Sequence, residues 1–148
     1  MLKKLVRLAV MLIAAATPSA LAAAPSPAPA FEAGQIWSIK STAPTTAKVV
    51  IGRVEPWDNE MVVHVSMIDV PIPKDMPGAG QTTAIGHMPF QQSALAASVH
   101  RLLATGASPA PSFESGYKEW QDAKGGVFTI DVESAIKFVF QALSQRLG

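Results

Sequence analysis

Residues 60–70 have the sequence EMVVHVSMIDV, which is the clearest β-strand pattern in the chain. Alternate side chains of a strand point to opposite faces of its sheet. One face here is Met61, Val63, Val65 and Met67, and the other is Val62, His64, Ser66 and Ile68. The first face is continuously apolar and must contact a core, whereas the second is mixed in character and is expected to be half covered.

Two more strands are predicted before this one. Residues 35–40 (QIWSIK) follow the strand-breaking Gly34, and residues 48–54 (KVVIGRV) are rich in β-branched side chains. Residues 55–59 contain Pro, Asp and Asn, which favour a turn. Strands therefore dominate the first half of the domain.

After this region the pattern changes from strands to helices. Residues 71–80 contain three prolines and two glycines and predict a loop, followed by a short strand at 82–86. Pro89 opens a predicted helix at 91–105, which Gly106 ends. A Pro/Ser loop at 107–112 leads to a short helix near 113–124.

The last elements are a strand at 127–130 (VFTI) and a final helix. Asp131 is placed to cap that helix. Apolar residues then recur at helical spacing: Val132, Ala135, Ile136, Val139, Phe140 and Leu143. Together the elements predict a single α+β domain over residues 31–148, in which helices cover one side of a small antiparallel sheet.

The first 22 residues have the features of a secretory signal peptide. Lys3, Lys4 and Arg7 precede an apolar run at 8–16, which is too short to span a bilayer. A helix-breaking Thr-Pro-Ser follows, and small residues stand at 20 and 22. We expect cleavage after Ala22 and export by the general secretory route, to the periplasm or the exterior.

Residues 23–30 (AAPSPAPA) alternate proline with small residues and predict an extended spacer. The whole chain has 12 basic and 11 acidic residues. Because residues 1–22 contain three of the basic ones and no acidic ones, the mature chain has nine against 11 and a net charge of −2. Such a balance gives no basic footprint for nucleic acid. With no cysteine, the core must hold the fold without disulfides.

No motif of a known catalytic, metal or cofactor site is present in the sequence. The histidines, His64, His87 and His100, offer no local pair of metal ligands. We therefore expect no metal, no cofactor and no identifiable catalytic residue. The acidic residues around the turn, Glu55, Asp58 and Glu60, are interpreted as solvated.

Two residues are candidates for binding. His87 stands in Gly-His-Met-Pro-Phe at the entry to the predicted helix, where an imidazole can bind a ligand or simply hold the loop. Trp57 lies in the predicted turn, where it either folds back over the sheet edge or serves as an exposed interface anchor. The other large aromatics, Trp37, Tyr117 and Trp120, are interpreted as packing residues.

Four short elements carry a resemblance: Gly34-Gln35-Ile36-Trp37, His87-Met88-Pro89-Phe90, Gly116-Tyr117 with Trp120, and Gly126-Val127-Phe128-Thr129-Ile130. The chain resembles a group of short uncharacterised bacterial proteins with G-Q-x-W, G-Y-x-x-W and G-V-F-T elements. The resemblance covers most of residues 31–143. The group has no known activity, so the resemblance implies none here.

Three functions remain open at this point. The first is a non-enzymatic binding or accessory module of the cell envelope, whose partner is an envelope protein and whose oligomeric state is undetermined. The second is a small envelope hydrolase whose Ser, His and Asp meet only in three dimensions. The third is carriage of an apolar ligand between sheet and helices. His87 within hydrogen-bond reach of a serine or carboxylate would favour the hydrolase, whereas an exposed apolar patch would favour the binding module.

Overall fold

The computed structural model describes residues 29–148, so the predicted signal peptide (1–22) and most of the predicted spacer (23–30) lie outside the described part. The strands are β1 (Ile36–Ile39), β2 (Lys48–Trp57), β3 (Glu60–Pro71), β4 (Thr82–Gln91) and β5 (Val99–Ala104). The helices are α1 (Gln92–Ser98), α2 (Phe113–Asp122) and α3 (Val132–Leu147). The strands form one antiparallel sheet in the order β4-β3-β2-β1-β5. The α+β class with an antiparallel sheet is confirmed.

The apolar face of β3 lies in the main core, as its alternation predicts. Val63, Val65 and Met67 are fully buried there. They pack with neighbouring strands and with residues of α1 and α3: Leu95, Val132, Ala135 and Phe140. The mixed face of β3 is covered by α2, which contacts β3 and β4 from the opposite side.

The final helix begins as its capping residue predicts. Oδ1 of Asp131 accepts a hydrogen bond from the backbone N–H of Ser134 at 2.9 Å. This bond satisfies one of the free amides in the first turn. The apolar stripe is buried at Val132, Ala135 and Phe140, and it becomes exposed at Leu143 towards the end of the helix.

The predicted helix at 91–105 is wrong in its second half. The helix ends at Ser98, and Val99–Ala104 form β5, which pairs with the otherwise free edge of β1. Backbone groups at that edge need hydrogen-bond partners, and pairing with β1 outweighs the weak local helix propensity of this segment.

The predicted strand at 82–86 is also too short, because β4 continues through Pro89 to Gln91. Pro89 therefore lies in a strand instead of opening a helix. It pairs with His64, and its carbonyl accepts a hydrogen bond from the N–H of Phe128. The predicted strand at 127–130 is reduced to a single bridge between Phe128 and Phe90.

The turn predicted at 55–59 is shorter in the structure. Trp57 pairs with Glu60, which leaves only Asp58 and Asn59 as the connection. Asp58 has a φ of 51°, a left-handed conformation that aspartate tolerates better than most residues. Glu55 consequently belongs to β2 and not to the turn.

Within residues 29–148, no helix is long and apolar enough to cross a membrane.

Candidate functional site

Two β-bulges turn polar side chains towards α2. In β2, Ile51 pairs with Val65 but Arg53 pairs with His64, so one extra residue stands opposite β3 at Gly52. A bulge reverses the alternation of the residues that follow it. Glu55, which an unbroken ladder would direct into the main core, therefore lies on the same face as His64.

The second bulge is in β4. Val65 pairs with Met88 and Met67 with Ile85, so β4 has one extra residue at Gly86 and His87. Met88 and Ile85 both contact the main core, and His87 lies on the α2 face. The expectation that His87 stands at a helix entry is wrong, because β4 continues to Gln91 and His87 lies inside this strand.

Glycine at three positions lets α2 approach the sheet closely. A Cβ atom added at Gly52 would overlap the ring of Phe113, and one added at Gly86 would overlap Ser112. On the helix itself, a Cβ at Gly116 would lie 2.7 Å from Cβ of His87. Two of these glycines are at the bulges, so the same residues re-aim the polar side chains and make room for the helix above them.

The re-aimed side chains form a continuous hydrogen-bonded chain. Nε2 of His64 lies 2.9 Å from Oε1 of Glu55, and Nδ1 of His64 lies 2.9 Å from Nε2 of His87. The hydroxyl of Tyr117 on α2 donates to the carboxylate of Glu55 at 3.0–3.1 Å. His64 is fully buried, and Arg53 lies 4.1 Å above the Tyr117 ring.

The carboxylate determines which ring nitrogens carry protons. Glu55 accepts hydrogen bonds, so Nε2 of His64 is the donor and Nδ1 of a neutral His64 is an acceptor. Nε2 of His87 must then donate to it, which leaves Nδ1 of His87 with a free lone pair. This atom forms no hydrogen bond with residues 29–148, and no buried side-chain nitrogen or oxygen there lacks a partner. Nδ1 of His87 is therefore accessible to solvent.

Both histidines are neutral near pH 7. Burial, and to a smaller extent the nearby His64, lowers the pKa of His87 from 6.5 to about 4. Burial also lowers the pKa of His64 and outweighs the opposing effect of its hydrogen bond to Glu55. A neutral His87 presents a hydrogen-bond acceptor, but its low pKa makes it a weak base.

His87 lines an open cleft of about 590 Å³ between β4 and α2. The other lining residues are Ile85, Gly86, Ser112, Ser115, Gly116, Glu119 and Trp120. The volume is within the usual range for ligand sites, roughly 300–1,000 Å³. Among the described residues, no group of three or more histidines and carboxylates is arranged to hold a metal ion.

The two predicted binding residues are linked by a third aromatic residue. Trp57 packs against Trp120 with ring centroids 4.9 Å apart, and Trp120 lies 6.0 Å from the His87 ring. Trp57 is the last residue of β2, an inner strand, and exposes 37% of its surface. Trp57, Trp120 and His87 thus form a half-exposed surface beside the cleft, which we call the Trp–His surface.

Sequence reasoning missed three central members of this site: Glu55, His64 and Tyr117, the last of which is interpreted there only as a packing residue. The sequence predicts a solvated turn residue at Glu55 and, at His64, a histidine without a local second metal ligand. The bulge at Gly52 brings them together, and an isolated glycine in a strand was the available signal. His100 lies apart on β5, and the exposed Asp58 remains in the turn.

Comparison of the chain with family models, with curated proteins and with solved structures finds no match. The resemblance of the four short elements to a bacterial group accordingly stays a prediction.

Proposed function

We propose that this chain is an exported, non-enzymatic binding module of the cell envelope, and that it binds through the Trp–His surface. The contact between Trp57 and Trp120 carries the proposal. It holds a large aromatic side chain in place while leaving more than a third of it exposed. Rigid, partly exposed tryptophans are typical anchors of binding surfaces.

The network beneath this surface supports the proposal. Trp120 contacts the buried His64 ring at 4.7 Å, and its indole N–H donates to the carbonyl of Gly126 at 2.9 Å. A fully satisfied buried network fixes side-chain positions, so little conformational entropy is lost when a ligand binds. Export is supported by the signal features of residues 1–22.

The test is Trp57→Ala in the mature protein, measured for both binding and stability. We expect binding of the envelope partner to weaken by about 2 kcal/mol or more, roughly thirty-fold. The free energy of unfolding should fall by only about 1 kcal/mol, because one aromatic contact is lost and no enclosed cavity is left. Capture from envelope extract followed by titration of the isolated partner gives the first value, and urea denaturation gives the second.

Leu103→Ala is the matched control, since Leu103 is similarly exposed but lies on β5, the edge strand that β1 separates from β2 and Trp57. It should change neither measurement appreciably. A loss of 3–5 kcal/mol in stability for Trp57→Ala, as for a core tryptophan, together with unchanged capture would refute the proposal.

A small envelope hydrolase is the second candidate. It is favoured by the carboxylate–imidazole–imidazole chain that ends at a cleft containing Ser112. Within the described residues, however, His87 forms no hydrogen bond with a serine, and its lowered pKa weakens it as a base. A serine-reactive phosphonate probe tests this candidate: labelling that disappears in Ser112→Ala would establish it over the binding module.

A further inference from the structure

The cleft beside His87 presents mainly hydrogen-bond acceptors. Nδ1 of the neutral His87 accepts hydrogen bonds but cannot donate them, and the same holds for the carboxylate of Glu119. The hydroxyl of Ser115 already donates to the carbonyl of Ser112 at 3.0 Å, which leaves its lone pairs available. Only the Ser112 hydroxyl can act freely as donor or acceptor. A complementary ligand must therefore bring several donors of its own.

The charges around the cleft indicate whether its ligand is anionic, cationic or uncharged. No lysine or arginine lines it, which disfavours an anion such as a phosphate. The one charged side chain, Glu119, is exposed to solvent. A single exposed carboxylate contributes little to binding a cation, because water and salt screen it. The cleft therefore favours an uncharged ligand.

Aromatic side chains complete the site. Trp120 forms one wall of the cleft, and Trp57 extends this aromatic surface beyond it. The apolar face of a sugar ring can pack on an indole while the hydroxyl groups at its edge donate hydrogen bonds. Gly86 and Gly116 also line the cleft, where their lack of side chains lets α2 lie close to β4.

From this combination we infer that the cleft binds a neutral saccharide. The inference rests on the proposed binding function and names its ligand class. Sugar hydroxyls donate to Nδ1 of His87 and to the carboxylate of Glu119, and the Ser112 hydroxyl fits either role. The apolar face of one ring packs on Trp120, and the chain of sugars continues towards Trp57.

The experiment titrates the mature protein with two neutral tetrasaccharides, one of glucose and one of N-acetylglucosamine. Spermidine and glucose 6-phosphate serve as cationic and anionic probes. Tryptophan fluorescence, to which Trp57 and Trp120 contribute together with Trp37, detects binding, and calorimetry gives the affinity. We expect saturable binding of at least one tetrasaccharide with a Kd below about 1 mM, unchanged by added salt, and no binding of the phosphate.

Variants locate the binding. His87→Ala should weaken saccharide binding about ten-fold, and Ser112→Ala, at an exposed position that tolerates the change, should weaken it a few-fold. Leu103→Ala should leave it unchanged. Saccharide affinity that is equal in wild-type, His87→Ala and Ser112→Ala would overturn the inference, even if binding is detected.

The remaining outcomes separate this inference from the proposed function. Salt-dependent binding of spermidine without saccharide binding overturns the saccharide and identifies a cationic ligand. If neither the saccharides nor spermidine bind, but capture of a protein partner still depends on Trp57, the inference is overturned and the proposed binding module stands. If no ligand binds and capture is independent of Trp57, the saccharide inference and the proposed binding function both fail.

Discussion

Nε2 of His64 lies 2.9 Å from Oε1 of Glu55, although the regular register of their paired strands would place the two side chains on opposite faces. One extra residue at Gly52 accounts for the difference. It converts two positions that would otherwise be unrelated into a buried hydrogen-bonded pair, and Tyr117 on α2 joins the same carboxylate. The attachment of α2 to the sheet depends on this local irregularity.

Replacing Glu55 should therefore destabilise the fold. Glu55→Ala leaves the Nε2–H of His64 and the hydroxyl of Tyr117 without their acceptor in a buried region. We expect the free energy of unfolding to fall by about 2–6 kcal/mol, since each of the two orphaned donors costs about 1–3 kcal/mol. Glu114→Ala is the control: this exposed carboxylate lies 3.8 Å from Arg53 and should contribute less than about 1 kcal/mol. Equal losses for the two variants in urea denaturation would contradict the role of the buried network.

The bulge glycines should tolerate no side chain. In Gly52→Ala the new methyl group collides with the Phe113 ring, which is itself buried. Overpacking of this kind costs roughly 1–3 kcal/mol, whereas an unhindered glycine-to-alanine change is often mildly stabilising. Gly126→Ala is the matched control, because its added Cβ meets nothing within 4 Å. Thermal unfolding of both variants measures the contrast, and a Gly52→Ala protein as stable as the control would show that α2 adjusts freely.

Stability should fall on mild acidification. The pKa of His87 is lowered from 6.5 to about 4 in the folded protein, so between these values the unfolded chain binds more protons. Above pH 6.5, His87 is neutral in both states and stability is at its full value. As the pH falls towards 4, protonation of His87 favours the unfolded chain and the free energy of unfolding decreases. The full shift corresponds to about 3 kcal/mol, which solvent screening of the partly exposed His87 ring reduces. The lowered pKa of His64 acts in the same direction.

His87→Gln, a neutral replacement, isolates this effect. Denaturation midpoints measured from pH 7 to 4 should change less steeply in the variant than in the wild-type protein. Identical pH profiles for the two proteins would mean that another group is responsible for any acid sensitivity.

The proposed export requires removal of the first 22 residues. We predict that the protein recovered from the envelope begins at Ala23, because Ala20 and Ala22 provide the small side chains that a signal peptidase needs and Pro25 disfavours a later cut. Intact-mass measurement of the recovered protein determines the cleavage site. A chain that retains Met1 would contradict export by this route.

Local patterns determined most of the framework. The period-two alternation of residues 60–70 predicted β3 and its buried face, and the period of the final helix with its Asp131 cap predicted α3. These elements follow from the sequence alone because each depends on side-chain spacing within one segment. Trp57 and His87 are also singled out by the sequence, and their role in binding stays a prediction.

Only the tertiary structure decided β5 and the site. Residues 99–104 became a strand because the edge of β1 needed hydrogen-bond partners, which no local pattern reveals. The site needs Glu55, His64, His87 and Tyr117, which come from three strands and a helix. They meet because two bulges shift the pairing by one residue each and because glycine lets α2 approach. The bulges and the close approach of α2 depend on how the strands align with one another and with the helix, so they appear only when the chain is folded.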